Sequence, residues 1–332
     1  MKILVVVNRI EQVKPSQSTA ELAHGFFQRD HEVWMGDVGA LSWGVADRPQ
    51  VWGKTTLIKS DIADWLKNIS TAQAQSCPLE SFDLIFVRTN PGRDKDRGWA
   101  HDVLLDLLTW AEEQGVCVLN PPKMLRQASS KMYLQGFPAS IRPKSIISRN
   151  HQELVQFVAS QTHPCILKPL RGTGGGGVFI VRPNDLSNLN QIIEVILERD
   201  FVIAQEYIKE GEIGDARLLV LNGQPIVVDG ERAVVARLRQ GHDLRSNVAV
   251  GGKPAGVVFS EIMDEIVQSI SSKLLADGVF LAGLDIIGDK IVEINVFSPG
   301  GVRDAGVFAN RDFLSAILDA AEQMVLAHKV GS

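Results

Sequence analysis

The 332-residue chain has only three cysteines, Cys77, Cys117 and Cys165. They are scattered and show neither zinc-site nor disulfide spacing. Two lie in apolar runs, where a buried free thiol is the default, and this usage suits a reducing cytoplasm. No apolar run approaches the ~18 residues of a membrane span. The apolar start, Met1–Val7, is too short for a signal segment and is followed at once by Asn8 and Arg9. A basic excess is also missing: 34 Lys and Arg against 39 Asp and Glu give a net charge of −5, which argues against a general nucleic-acid surface. The seven histidines show no zinc or triad spacing, and there is no internal repeat or low-complexity tract. What remains is a chain of two or three domains, with no membrane or nucleic-acid partner and enough apolar residues for real cores.

Strand and helix signals alternate through residues 1–120. Lys2–Val7 (KILVVV) reads as a buried parallel strand. Ser18–Arg29 follows as a helix with Leu22, Phe26 and Phe27 at helical spacing. Glu32–Met35 reads as a strand, Asp61–Ile69 as a helix, Phe82–Val87 as a buried strand and Val103–Gln114 as a helix stopped by Gly115. Val116–Leu119 is a strand closed by Asn120-Pro121-Pro122. Residues 39–59 have no legible period. Such alternation implies an open parallel, Rossmann-like sheet. Ligands bind at the carboxyl ends of its strands, where Asn8-Arg9 and Arg88-Thr89-Asn90 fall. Arg88 is a candidate carboxylate fork; a solvated strand end is the bland alternative.

Residues 121–200 read as a small α+β lobe, with helices over Leu125–Gln135, Gln152–Ser160 and Asp185–Glu198. At its centre is Cys165–Val181, CILKPLRGTGGGGVFIV, in which a short apolar run delivers Lys168 to a glycine loop and a second run follows. This reads as a strand hairpin. Four consecutive glycines, Gly174 to Gly177, cost conformational entropy on ordering, and they allow backbone N–H groups to approach an anion. A dinucleotide fingerprint would open a helix here, and a Walker loop would end in Gly-Lys-Ser/Thr. A kinase loop would put its lysine downstream. A nucleotide-phosphate flap fits better; the alternative is a flexible surface hairpin.

Residues 201–332 are richer in strands. Phe201–Ile208 and Glu231–Leu238 are strands, Ala216–Leu221 and Pro225–Val228 flank an Asn222-Gly223 turn, and Glu261–Ala276 and Asp312–Ala327 are helices. Phe280–Ile287 and Ile291–Phe297 form a second hairpin around a three-residue loop, Gly288-Asp289-Lys290, so that Ile287 pairs with Ile291 and Asp285 lies opposite Glu293. Alternation then puts Leu284, Ile286, Val292, Ile294 and Val296 on one face, and Asp285, Glu293 and Asn295 on the other. Two carboxylates and an amide oxygen suit Mg²⁺. A solvated polar face is the alternative, but it does not explain acids inside such apolar strands. Arg217, Arg237 and Arg245 each read alone as surface residues, but together with Lys131, Lys168, the glycine flap and the metal patch they are candidates for binding nucleotide phosphate.

Five segments carry a family likeness: Ile166–Gly176 (ILKPLRGTGGG), Ala204–Ile208 (AQEYI), Gly214–Pro225 (GDARLLVLNGQP), Ala236–Gly252 (ARLRQGHDLRSNVAVGG) and Gly283–Pro299 (GLDIIGDKIVEINVFSP). In that order they resemble the ATP-grasp superfamily and, within it, the bacterial glutathione synthetases. The resemblance implies an α/β and α+β fold in three parts: an N-terminal substrate domain (1–120), a central lid lobe (121–200) and a mainly antiparallel C-terminal lobe (201–332). It implies a cytoplasmic ligase, a homo-oligomer, that joins small amino-acid or peptide substrates through an acyl phosphate, using ATP and Mg²⁺ or Mn²⁺. Lys131, Lys168 and Gly174, Gly175, Gly176 and Gly177 would hold ATP phosphates. Gln205, Glu206, Tyr207 and Ile208 would hold adenine, with Asp215 nearby. Arg217 and Arg237 would face the triphosphate and acyl phosphate; Arg245 and Asn247 match a substrate-side loop. Asp285, Glu293 and Asn295 match metal ligands, and Arg88 and Arg303 would hold substrate carboxylates. The chain departs from the family pattern at Asn8-Arg9-Ile10, in a longer 217–237 span and at Gly300-Gly301. Those departures leave open a different amino-acid or peptide pair; a non-catalytic nucleotide-binding homologue that kept the fold is a separate alternative, against which the intact Lys168, Asp285, Glu293 and Asn295 speak.

Overall fold

A lysine followed by five branched apolar residues, Lys2–Val7 (β1), forms the middle of the N-terminal sheet, with Ile3 to Val7 all buried in the computed structural model, which describes residues 1–172, 176–239, 252–257 and 259–331. After β1 come α1 (Ser18–Gln28), β2 (Glu32–Asp37), β3 (Leu41–Trp43), β4 (Pro49–Thr55), α2 (Ile62–Thr71), β5 (Gln75–Pro78), β6 (Leu84–Val87), α3 (Gly98–Glu113), β7 (Cys117–Leu119) and α4 (Pro122–Gln127). The order β2-β1-β6-β7 is parallel throughout. The illegible stretch 39–59 supplies β3 and β4, which with β5 make an antiparallel extension beyond β2. The chain leaves β1 toward β2 and later returns on its other side as β6. The gap between β1 and β6 is therefore a topological switch point, where such sheets bind ligands.

The lid comprises β8 (Ser145–Ser148), α5 (His151–Ala159), β9 (Cys165–Pro169), β10 (Phe179–Val181), α6 (Leu189–Leu197) and β11 (Val202–Glu206), with antiparallel sheet order β10-β9-β11-β8. The glycine loop does join two paired strands. Leu154, Val158, Ile193 and Ile196 close one sheet face as a separate hydrophobic cluster. Two helices differ from expectation. The helix expected over Leu125–Gln135 is split, because the Ser130 side chain accepts the Met132 N–H and starts a 3₁₀ turn over Lys131–Gly136. The helix expected from Asp185 starts only at Leu189, because the Asp185 carboxylate takes the Ser187 N–H and hydroxyl in a local turn that competes with helix.

The remainder holds β12 (Gly214–Leu221), β13 (Gln224–Pro225), β14 (Val227–Val228), β15 (Glu231–Arg232), β16 (Val234–Leu238), β17 (Lys253–Ala255), α7 (Glu261–Ala276), β18 (Leu281–Ile287), β19 (Lys290–Asn295), α8 (Val302–Ala309) and α9 (Phe313–Gly331). Its main sheet runs β17-β16-β12-β18-β19, all antiparallel. The β18–β19 hairpin corrects the expected register. Ile287 pairs with Lys290 around a two-residue turn, Ile286 pairs with Ile291, and a bulge then restores Asp285 opposite Glu293. Ile291, not Val292, therefore joins the core; Val292 lines a cleft with Lys131. Extra residues of this kind re-aim side chains next to sites.

Two hydrophobic clusters are shared between the N-terminal sheet and the C-terminal lobe, each mixing β1 and β6 residues with residues after 215. Asn120 joins the two units. Its amide donates to the Leu281 and Val296 carbonyls at 2.9 and 2.6 Å, and its oxygen accepts the Phe280 and Leu281 N–H groups at 2.7 and 3.0 Å. All four hydrogen-bonding positions of a buried amide are thereby filled.

Candidate active site

A cleft of about 560 Å³ opens at the carboxyl ends of β1 and β6 and reaches the charged face of the C-terminal sheet. Its floor begins with Arg88, which is 4% exposed. Arg88 donates to the Thr19 hydroxyl at 3.3 Å and the Pro299 carbonyl at 2.8 Å, with no acid among its described partners. Burial pushes its guanidinium down to about 9, still cationic at neutral pH. The loops after β1 and β6 are locked together by a reciprocal amide pair: Asn8 donates to the Asn90 carbonyl at 2.8 Å and accepts the Asn90 N–H at 2.6 Å. Arg97 donates to the Asn8 carbonyl at 2.7 Å and is itself held by Asp94, which His101 also contacts. Arg303, expected in this wall, lines the cleft and sits 3.8 Å from Glu21.

Across the C-terminal sheet the register builds a row of charges. Arg237 lies opposite Asp215 in β16–β12, Arg217 opposite Asp285 in β12–β18, and Asp285 opposite Glu293 in β18–β19. Alternate residues such as Leu218, Leu284 and Ile286 face the core instead. Arg217 grips Asp285 through Nε and Nη2, and Arg237 reaches both Asp215 (2.6 Å) and Asp285 (2.8 Å). Burial alone would raise Asp285, but the two guanidiniums hold its carboxyl well below the usual carboxylate range. Asp215, expected near adenine, is thus an ion-pair partner of Arg237. Glu293 behaves oppositely: burial and Asp285 push it up against the pull of Lys131 and Lys168.

The lid faces this row. Lys168 comes from β9, and burial, helped by Lys131, pushes it down to about 8. Lys131 donates to the Gly172 carbonyl at 2.7 Å and is lowered by burial against the attraction of Glu293. Lys131, Gly172, Glu293 and Asn295 line a second, adjoining cleft. Gly177 closes the flap at φ +73, a left-handed conformation open to glycine; Gly176 precedes it. Gln205 is buried in β11, and the Glu206 carboxylate accepts the Lys144 N–H at 2.8 Å. Tyr207 and Ile208 follow on the segment leading to β12, where the Tyr207 hydroxyl meets Arg239 at 3.5 Å. Gly174, Gly175, Arg245 and Asn247 lie outside the described residues.

The pattern of residue types missed the Asn8–Asn90 clamp, the Arg97–Asp94–His101 support and Asn120. The strand-end rule had pointed to both Asn8 and Asn90, but not to the pairing of their side chain and backbone. Among the described residues no group of three His, Cys, Asp or Glu could hold a metal ion. The set Asp285, Glu293 and Asn295 contains one amide and so falls outside that count. Its hard oxygen donors, with Glu293 pushed up by burial and by the neighbouring Asp285 carboxylate, fit Mg²⁺. The cationic Lys131, Lys168, Arg217 and Arg237 around it fit a polyphosphate.

Residues 1–126 match the prokaryotic glutathione synthetase N-terminal domain, and residues 130–309 match the prokaryotic glutathione synthetase ATP-grasp domain. Glutathione synthetase from Gloeobacter violaceus is 32% identical over 313 residues, 92% of each chain. That of Escherichia coli (strain K12) is 30% identical over 294 residues, 88% of this chain and 87% of the other. Among solved structures, D-cycloserine synthetase DcsG superposes with a TM-score of 0.65 at 13% identity, over 97% of this chain and 100% of that one. The ATP-grasp ligase PsnB, complexed with minimal precursor, Mg, and ADP, gives 0.60 at 18% identity, over 97% and 98%. At such identities the structural likeness establishes the ATP-grasp fold and nothing finer.

Proposed function

The chain belongs to the prokaryotic glutathione synthetase family, and from that premise we propose a role for each part of its cleft. The protein is a ligase that joins γ-glutamylcysteine to glycine, converting ATP to ADP and phosphate. The cysteinyl carboxylate attacks the γ-phosphorus and becomes an acyl phosphate; the glycine amine then attacks the carbonyl and phosphate leaves. Lys131, Lys168 and the flap from Gly174 to Gly177 grip the triphosphate, and Gln205, Glu206, Tyr207 and Ile208 hold adenine. Arg217 and Arg237 meet the negative charge that develops on the transferred phosphoryl and the tetrahedral intermediate, and Asp215 keeps Arg237 aimed. Arg88 and Arg303 hold substrate carboxylates, with Arg245 and Asn247 beside them. Asp285, Glu293 and Asn295 would hold Mg²⁺, or Mn²⁺ in its place, which when bound supplies charge neutralisation at the phosphates. Flap closure excludes the water that would hydrolyse an acyl phosphate.

The observation that carries this reading is the facing of Lys131 and Lys168 on the lid side against Glu293 and Asp285 on the sheet. The same reading divides the chain at about residues 120 and 200, the hinge lying between lid and sheet. It makes the protein a cytoplasmic homo-oligomer whose partners are small substrates, not nucleic acid or membrane; the net charge of −5 speaks against a nucleic-acid surface, and three free, buried cysteines suit a reducing compartment. The test is phosphate release with γ-glutamylcysteine, glycine, ATP and Mg²⁺, with glutathione identified by mass. No phosphate with both substrates present refutes it. The Asn8-Arg9-Ile10 and Gly300-Gly301 departures favour, as the second reading, the same chemistry on another amino-acid or peptide pair. A substrate panel separates the two.

A further inference from the structure

The substrate cleft runs against the charge of the whole chain. Its lining includes Arg9, Lys14, Arg88, Arg93 and Arg303, beyond the Arg217 and Arg237 already paired with Asp285. Only two of its lining residues are acids, Glu293 and Asp304. Glu293 faces Lys131 and Lys168, and Asp304 lies beside Glu21 and Arg303. By contrast, Arg9, Lys14 and Arg93 make no side-chain hydrogen bond or ion pair to any described residue. Unpaired guanidiniums in a concave wall focus an attractive field on anions and are shaped for bidentate carboxylate recognition.

These cations are also carried on a fixed scaffold. Arg9 follows Asn8, whose side chain is bonded to Asn90 in both directions and whose carbonyl is held by Arg97. On its other side Ile10 donates its N–H to Asp37 at 2.6 Å. Arg93 lies three residues after Asn90, and its N–H donates to the Asn90 carbonyl at 3.1 Å. The two loops therefore present Arg9 and Arg93 into one cleft from adjacent strand ends, with their spacing set by the Asn8–Asn90 pair.

We propose that Arg9 and Arg93, with Lys14 at the rim, form a specificity subsite for a second carboxylate on the acid substrate, at the end remote from the carboxylate that reacts. The enzyme selects dicarboxylic acids, and the remote ammonium contributes little. This rests on the ligase reading above, under which the second carboxylate is the free α-carboxylate of the γ-glutamyl end.

The test compares γ-glutamylcysteine with two analogues: glutarylcysteine, which lacks the ammonium, and 4-aminobutanoylcysteine, which lacks the remote carboxylate. Binding to the ADP- and Mg²⁺-loaded protein is measured by calorimetry, and turnover by phosphate release with glycine. The wild type should bind glutarylcysteine within threefold of γ-glutamylcysteine and 4-aminobutanoylcysteine about 30- to 100-fold more weakly, the worth of hydrogen bonds to a charged group. Arg9→Ala and Arg93→Ala should each weaken γ-glutamylcysteine at least fivefold and 4-aminobutanoylcysteine less than twofold, a coupling that a merely structural role would not produce. Arg93 is exposed and Arg9 half-buried, so neither change opens a core. Equal binding of γ-glutamylcysteine and 4-aminobutanoylcysteine, or equal losses on both in the variants, would overturn the subsite. So would a tenfold loss on removing the ammonium. Selective binding without turnover would leave the subsite standing and sink the ligase reading; binding of none would sink both.

Discussion

Replacing Arg88 by methionine should make the ligand-free protein more stable and the enzyme much worse. The guanidinium is buried and has no acid among its described partners, and burial lowers it well below its ordinary value, to about 9. Holding that charge dry costs the folded state at most about 5 kcal/mol near neutral pH. Two losses offset the gain on removing it: the Pro299 carbonyl is left without its 2.8 Å donor, worth about 1–3 kcal/mol, and the guanidinium's packing over Phe86 goes. The net expectation is a gain of about 1–3 kcal/mol. The sign with pH follows from linkage: a base lowered in the fold is protonated more readily in the unfolded chain, so the penalty is full below about pH 9 and fades as the pH rises above it.

The assay is urea unfolding at pH 7.5 without ligands, then with γ-glutamylcysteine at a hundred times its dissociation constant. Ligand should stabilise the wild type by about 2.7 kcal/mol and the Arg88→Met protein hardly at all, while kcat/KM for the acid falls by about 10²-fold or more. A variant less stable than the wild type without ligand, at unchanged m-value, would refute the idea that Arg88 waits for an anion. So would kcat/KM within threefold of normal.

Asn120→Leu should destabilise by about 3–5 kcal/mol, since four buried backbone groups lose their partners at once; a shift below 1 kcal/mol in urea unfolding would show that water replaces the amide. At Gly214, φ is +148 and an added Cβ would stand 2.1 Å from the Arg237 carbonyl oxygen. Gly214→Ala should therefore cost about 3 kcal/mol or more and lower kcat at least tenfold by moving Arg237, an outcome read by combining thermal unfolding with steady-state kinetics. Lys168, lowered to about 8, is cationic below that pH and neutral above it, so kcat/KM for ATP should fall above pH 8. Lys168→Arg should lift that limb by more than a unit; an unchanged limb would assign it to another group.

The parallel strands β1, β6 and β7 were legible because both their faces are buried, leaving short continuous apolar runs rich in β-branched residues. The β3–β4–β5 extension was not, because its strands are short and apolar residues occur on both faces: Leu41, Val51 and Cys77 are buried while Trp43 and Trp52 are exposed. Helix bounds failed where Ser130 and Asp185 accept the N–H two residues further on, a choice that propensity alone does not reveal. The α8 helix, capped by Gly301 in a left-handed conformation, escaped for the same kind of reason: its start is a backbone geometry, not an apolar period.

The charged row across β16, β12, β18 and β19 shows where sequence reasoning reaches and where it stops. Alternation alone put Asp285, Glu293 and Asn295 on one face, and the pairing of Asp285 with Glu293 holds in the structure. It holds, however, through a two-residue turn plus a bulge instead of a three-residue loop, two routes that give the same partner for Asp285 but opposite faces for Ile291 and Val292. Period-two reasoning cannot distinguish them, because one extra residue anywhere in the hairpin restores the register beyond it. The core decides: Ile291 buries fully, while Val292 is left at the cleft. The partners of Asp285 from β12 and β16 were beyond reach for another reason. Pairing between strands separated by some 70 residues, as Arg217 and Asp285 are, is set by packing of the whole lobe and not by any local period. Individual acids and cations could therefore be named from the chain, but that both arginines converge on Asp285, while Glu293 turns to Lys131 and Lys168, is a property of the sheet.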